Sequence, residues 1–223
     1  MSQEIWTAVD TYITDLFVGN DPALEDALKA SAAAGLPAIQ VSANQGKLLQ
    51  LLASIRGARR ILEIGTLGGY STIWLARALP ADGRLITLEA EPKHAEVARA
   101  NISRAGLAGL VEVRVGRALE TLPKLAAEAR DPFDLIFIDA DKPGYPDYFK
   151  WAMKLSRRGT VIIADNVVRK GAVIDEKSAD PLVQGIRKMN SLIAKEPRVS
   201  ATAVQTVGSK GHDGLTIAIV TSD

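Results

Sequence analysis

The chain has 223 residues, 47% hydrophobic and 24% charged, with a formal charge of +1. That is enough apolar material for one well-buried domain, too much for a disordered chain, and too little net charge for a dedicated nucleic-acid binder. The absence of cysteine rules out disulfides, thiolate catalysis and cysteine-ligated zinc, and no apolar run reaches the ~18 residues of a membrane span.

Residues 1–40 carry six acids (Glu4, Asp10, Asp15, Asp21, Glu25 and Asp26) against Lys29, a net of −5 that leaves +6 for the rest. An acid at position 4 with no basic stretch before it gives no sign of a secretory leader, so a cytoplasmic enzyme is expected. The spacing predicts helices over 3–17 and 22–34. Asp21-Pro22 supplies a cap and a first-turn proline to the second, and Gly35-Leu36-Pro37 ends it. The acidic surface is either a solvated face or a segment that docks on the more basic body. Trp6, Val9, Ile13 and Phe17 form an apolar face that must be covered, so this helical extension is expected to close an acceptor site or a dimer interface. A third helix fits 44–56, with Leu48, Leu49, Leu51, Leu52 and Ile55 on one side and Gly57 at its end.

From residue 61 the rhythm changes. Apolar runs Ile61–Gly65, Leu85–Glu89, Val111–Gly116, Phe133–Asp139 and Thr160–Asp165 alternate with amphipathic segments at 70–79, 92–105, 118–128 and 145–156. Runs apolar throughout suit strands covered on both faces, so this is an α/β chain with a doubly wound parallel sheet. At the end, Val199–Thr206 and Leu215–Thr221 read as a hairpin through the glycine-rich Val207–Gly214, which makes the last strand antiparallel. One domain follows, with 1–40 as a helical extension and 41–223 as the core.

In such sheets ligands bind beyond the carboxyl ends of the strands. Glu63 stands near the end of the first strand, Glu89 of the second, Asp139 of the fourth, and Asp165-Asn166 of the fifth. Charged groups are disfavoured inside apolar strands, so four of them at one edge point to a site. The first turn, Gly65-Thr66-Leu67-Gly68-Gly69, lacks the spacing of a dinucleotide fold and the Lys-Ser/Thr of a phosphate loop. Glu89 lies 24 residues past Gly65, where nucleoside-binding folds place an acid on the ribose hydroxyls. A nucleoside ligand without pyrophosphate is indicated, S-adenosylmethionine being the natural candidate; a tight turn with no ligand is the alternative. Asp139, Asp165 and Asn166 are hard oxygen donors suited to Mg²⁺, Mn²⁺ or Ca²⁺, unless the two aspartates merely cap the helices that follow. His94 and His212 read as solvated surface residues, Trp74 and Trp151 as core, and Arg56–Arg60 and Arg157-Arg158 as solvated helix ends. No serine sits in a nucleophile elbow.

The sequence resembles the cation-dependent O-methyltransferases that use S-adenosylmethionine, the family of caffeoyl-CoA and catechol O-methyltransferases and their bacterial relatives. The resemblance runs from about Val41 to the C-terminus and rests on Val41–Gly46, Leu62-Glu63-Ile64-Gly65 through Tyr70-Ser71, Gly116-Arg117-Ala118-Leu119, Phe137-Ile138-Asp139-Ala140-Asp141-Lys142 and Asp165-Asn166. It implies a Rossmann-like class I methyltransferase fold with a mostly parallel seven-stranded sheet, an antiparallel last strand and helices on both faces. It further implies that Val41, Glu63, Gly65, Thr66, Ser71, Glu89, Ala118 and Asp139 line the cofactor site, with Glu89 on the ribose and Ala118 by the adenine. Asp139, Asp165 and Asn166 would hold the divalent cation, Mg²⁺ first, with Lys142 and Asp139 at the reacting hydroxyl. A free lysine is a poor base at neutral pH, but a divalent charge beside it favours its neutral form. Plant members carry Trp-Asn-Gly after the Asp-Asn pair, whereas this chain reads Val167-Val168-Arg169-Lys170-Gly171. The altered, more basic loop favours a small catechol or related phenol over a caffeoyl-CoA acceptor. The expected assembly is a homodimer, with no nucleic-acid or membrane partner. An NAD-type oxidoreductase and an RNA-binding methyltransferase-like module are the competing readings; the G-x-x-G-G turn disfavours the first and the near-zero charge the second.

Overall fold

In the computed structural model, which describes residues 2–128 and 131–223, three helices precede the sheet: α1 (Gln3–Phe17), α2 (Pro22–Ala33) and α3 (Ala43–Arg56). Strands and helices then alternate as β1 (Arg60–Ile64), α4 (Tyr70–Ala76), β2 (Arg84–Glu89), α5 (Pro92–Arg104), β3 (Val111–Val115), α6 (Ala118–Glu128), β4 (Leu135–Ile138), α7 (Tyr145–Lys154), β5 (Val161–Asp165) and α8 (Pro181–Lys195). The chain ends in β6 (Val199–Gly208) and β7 (Gly211–Val220), and 3₁₀ turns cover Lys142–Gly144 and Arg169–Ile174. The sheet order is β3-β2-β1-β4-β5-β7-β6, parallel as far as β5 and antiparallel at β7. The expected seven-stranded sheet with a reversed last strand is what forms.

Alternation along each strand divides the core into two layers. Leu62, Ile64, Ile136 and Ile138 face α6, α7 and α8, packing on Leu122, Phe149, Ile186 and Met189. Ile61, Leu135, Phe137 and Ile163 face the other way, onto Leu49 of α3, Ile73 and Trp74 of α4, and Ala98 and Ile102 of α5. Among the described residues no helix is long and apolar enough to cross a membrane.

Several elements depart from the sequence expectation. The sequence reading places nothing between Asn166 and Arg198, yet α8 fills much of that gap. Asp180 caps it through Leu182 N at 2.8 Å, Pro181 opens it, and Val183, Ile186, Met189 and Ile193 form its buried stripe. The hairpin strands are longer than expected and meet at a two-residue tip, Ser209-Lys210, between the paired Gly208 and Gly211. In α3 the buried side is Gly46, Leu49 and Ala53. Leu48, Leu51 and Ile55 point outward instead, Ile55 being 81% exposed. No residue of α1 is buried, and Val9 and Phe17 of its expected apolar face are exposed.

Nor are the arginine runs simply solvated. Asp134, almost enclosed before β4, accepts from Arg59 N at 2.8 Å and Arg60 N at 3.0 Å and pairs with Arg56 and Arg157. Burial alone would raise its pKa; the backbone donors and Arg157 outweigh that and lower it. The acidic extension docks partly on the body. Asp21 accepts from Leu24 N as the expected cap and pairs with Arg77, just past the end of α4, while Asp10 accepts from Ser209 N at 2.7 Å and from Asn44 Nδ2 at 3.2 Å.

Candidate active site

Because β1, β2, β4 and β5 are parallel and nearly in register, their carboxyl ends meet at one edge. Ile64 pairs with both Leu88 and Ile138, and Ile138 with Ala164. The residues one step further on, Gly65, Glu89, Asp139 and Asp165, are thereby neighbours. Gly65 makes that approach possible. Its φ is +100°, and a Cβ there would stand 2.0 Å from the Asp139 carbonyl oxygen. The edge opens into a cleft of about 490 Å³ whose wall includes Val41, Gly65, Thr66, Ser71, Glu89, Ala118, Asp139, Lys142 and Asn166.

Glu89 is nearly buried at one corner. Its Oε2 accepts from Thr66 N (3.2 Å) and Leu67 N (2.7 Å), and its Oε1 from Glu91 N (3.0 Å). Three backbone donors hold the carboxylate rigid and leave acceptor capacity on Oε1. His94, expected on the surface, lines the cleft with Nδ1 3.5 Å from that oxygen. Its position in the third residue of α5 turns it back toward the end of β2. Glu63, expected in the cofactor wall, is fully enclosed behind it. It accepts from the hydroxyls of Ser71 (2.6 Å), Thr87 (2.7 Å) and Thr72, joining β1, β2 and α4. Burial raises its pKa to about 7 despite those three donors.

Asp139, Asp165 and Asn166 come together at the opposite corner with Lys142. Asp165 is 4% exposed, and its Oδ1 accepts from Asn166 N at 2.8 Å. Burial, then the charge of Asp139, raises its pKa above the ordinary carboxylate range. Neither aspartate caps a following helix. Asn166 adopts φ +56°, a left-handed conformation that asparagine tolerates better than most residues. Among the described residues no three His, Asp or Glu side chains converge, so a three-oxygen set at this corner would need the Asn166 amide. Two carboxylates repelling each other in a nearly dry corner, with one lysine beside them, fit a divalent cation well.

Lys142 Nζ lies 3.0 Å from Asp139 Oδ1 and 2.6 Å from the Tyr145 hydroxyl. Asp141 does not pair with it. That carboxylate caps the 3₁₀ turn through Gly144 N (3.2 Å) and takes the Tyr148 hydroxyl. Tyr145 is fully enclosed, and burial, then the charges of Asp139 and Asp165, pushes its pKa well above the ordinary value. The sequence reading missed Tyr145; its one signal was its place three residues after Lys142. The loop after Asn166 is clamped by Asp213 Oδ1, which accepts from Val168 N (3.0 Å) and Arg169 N (2.9 Å). Arg169 and Lys170 both hold positive φ there, and Arg169 joins the cleft wall.

Comparison with known proteins gives the family. Residues 15–219 match the family model described as O-methyltransferase. A catechol O-methyltransferase of Niastella koreensis is 56% identical over 99% of this chain and all of its own length. An O-methyltransferase of Bacillus cereus, solved in complex with SAH, superposes with a TM-score of 0.97 at 62% identity, covering 99% of this chain and 100% of that one. One from Streptomyces achromogenes, involved in tomaymycin synthesis and solved with SAM, gives 0.96 at 55% identity with both chains covered completely.

Proposed function

We propose an acceptor, a cation and a set of working residues on one premise: this chain belongs to the O-methyltransferase family and is an S-adenosylmethionine-dependent O-methyltransferase. The acceptor is a small catechol or related phenol, and turnover requires a divalent cation, Mg²⁺ first. The observation that carries this reading is the meeting of Asp139, Asn166 and the Lys142 amine in the cleft wall, opposite Glu89, with the enclosed Asp165 carboxyl beside them. The relative from Niastella koreensis, named a catechol O-methyltransferase, supports the acceptor class.

In this reading Glu89 accepts from the ribose of the cofactor, held for that task by Thr66, Leu67 and Glu91. Gly65, Thr66, Ser71, Val41 and Ala118 shape the rest of the cofactor wall, and Glu63 braces it from behind. The cofactor supplies a sulfonium methyl for attack by a phenolate oxygen. Asp139, Asp165 and Asn166 would hold the cation, whose charge favours the ionised form of a neighbouring hydroxyl. Lys142 takes the phenolic proton at Nζ, within reach of the same corner. Holding oxygen, carbon and sulfur in line contributes through proximity, which well-oriented reactions show to be worth roughly 7–11 kcal/mol.

The working unit in this reading is a homodimer. Among the described residues fifteen large apolar side chains are exposed, and eleven lie on α1, α3, β6 or β7, where α1 touches both α3 and β6 and β6 pairs with β7. Monomers rarely leave so large an apolar area open to water.

The acceptor is tested with labelled S-adenosylmethionine and a panel of catechols, their monohydroxy analogues and non-phenolic alcohols. Methylation of catechols over monophenols supports the reading; transfer to alcohols but not to any phenol contradicts it.

A further inference from the structure

Tyr145 is enclosed beneath the reaction corner and forms no part of the cleft wall, yet its hydroxyl meets three parts of the site. It accepts from Lys142 Nζ at 2.6 Å, while its own proton faces the main-chain oxygens of Asp165 at 3.0 Å and Ile138 at 3.2 Å. We propose that Tyr145 is the positioning residue for Lys142, fixing the direction in which that amine takes up the acceptor's proton. The proposal rests on the reading of Lys142 as the base.

The reason is geometric. A neutral amine has two N–H bonds and one lone pair, and rotation about Cε–Nζ decides where the lone pair points. Here one N–H is directed to Asp139 Oδ1 at 3.0 Å and the other to the Tyr145 oxygen. Only one tetrahedral position on the nitrogen is then left, and a proton taken from the acceptor must enter there. With a single acceptor the amine would turn freely and spend much of its time misdirected.

Tyr145 can serve as a fixed reference because nothing about it is free to move. Its ring is packed in the core, with the Tyr148 ring centroid 6.3 Å away, and its proton is committed to carbonyls at the ends of β4 and β5. The hydroxyl therefore presents its lone pairs toward Lys142. The same carbonyls belong to Ile138, just before Asp139, and to Asp165 itself, so the amine is referenced to the strands that carry the acids. Because Tyr145 is kept from the cleft, it acts through Lys142 and not on substrate.

Tyr145→Phe keeps the ring and removes the oxygen. It should lower kcat by roughly 10-fold, part of the 10²–10⁴ that a positioned base supplies, with the acceptor KM and the calorimetric Kd for the demethylated cofactor within about twofold of wild type. Lys142→Ala should lower kcat by roughly 10² or more. Adding Tyr145→Phe to Lys142→Ala should then cost less than about twofold, since coupled residues are not additive. A readout independent of turnover is reductive methylation of the folded protein followed by mass spectrometry. Lys142 should label at least about threefold faster in Tyr145→Phe than in wild type, with exposed Lys150 as the internal standard. Equal losses from Tyr145→Phe in both backgrounds would mean a core role only and overturn the proposal. An impaired Lys142→Ala beside an unimpaired Tyr145→Phe would overturn this proposal alone. Near-normal kcat in Lys142→Ala would remove the base reading and this one with it.

Discussion

Glu63 and Glu89 end neighbouring strands, yet their surroundings give them different work. Glu89 is held in place by three backbone N–H groups, and it faces the cleft. Glu89→Ala should therefore weaken cofactor binding by about 1.5–3 kcal/mol, the worth of a charge-assisted hydrogen bond, measured by calorimetry. An unchanged Kd would remove the ribose role. Glu63 has a folded pKa of about 7 against 4.5 for the free side chain. A carboxyl raised in the fold favours folding fully below about pH 4.5, and that advantage is lost as pH rises through 7. Glu63→Gln, which cannot ionise, should gain stability relative to wild type on going from pH 5 to pH 8. The gain is up to about 3 kcal/mol, read from urea unfolding at the two values. A gain independent of pH would place the ionisation elsewhere. The acids at the strand ends were legible because a charge closing an apolar run stands out. Tyr145 was not, since a tyrosine in a helix reads as core, and its partners Asp165 and Ile138 are brought to it only by the sheet.

At the scale of elements, α8 holds the reaction corner from outside the sheet. It packs on the turn that carries Lys142 through Gly185, where a Cβ would stand 2.1 Å from the Lys142 carbonyl oxygen. Gly185→Ala must push the turn away. Overpacking of this kind costs about 1–3 kcal/mol, so the melting temperature should fall, and kcat should fall with it while cofactor Kd holds. Lost stability with wild-type kcat would show that the turn tolerates the shift. The helix was passed over in the sequence although Asp180-Pro181 and the Val183, Ile186, Met189, Ile193 spacing mark it, because the polar stretch before it breaks the alternation of strands and helices. The two sides of α3 present a different difficulty. Period alone shows Leu48, Leu49, Leu51, Leu52 and Ile55 as one apolar set, whereas contact with Trp74 selects the small-residue side around Gly46. Asp134 likewise required the sheet, which brings Arg56, before β1, and Arg157, before β5, to one carboxylate.

For the whole molecule, the apolar residues left outside are as informative as those inside. Burying a large aliphatic side chain is worth about 1.5–3 kcal/mol, so the outward stripe of α3 and the faces of α1, β6 and β7 together can hold two copies of the chain. Leu51→Glu with Ile55→Glu should convert the proposed dimer to monomer in sedimentation velocity at micromolar concentration. A wild-type monomer under those conditions contradicts the dimer outright. The proposed division of labour across the sheet edge puts the cofactor at the Glu89 corner, the acceptor at the Asp165 corner and the cation on the acceptor side alone. The direct measurement is methyl transfer to catechol by wild type and Asp165→Ala, after exhaustive chelation and after return of Mg²⁺, with cofactor affinity followed in the same samples. Chelation should abolish turnover, Mg²⁺ should restore it in wild type only, and Asp165→Ala should still bind the demethylated cofactor. Full turnover in chelated wild type would contradict that division.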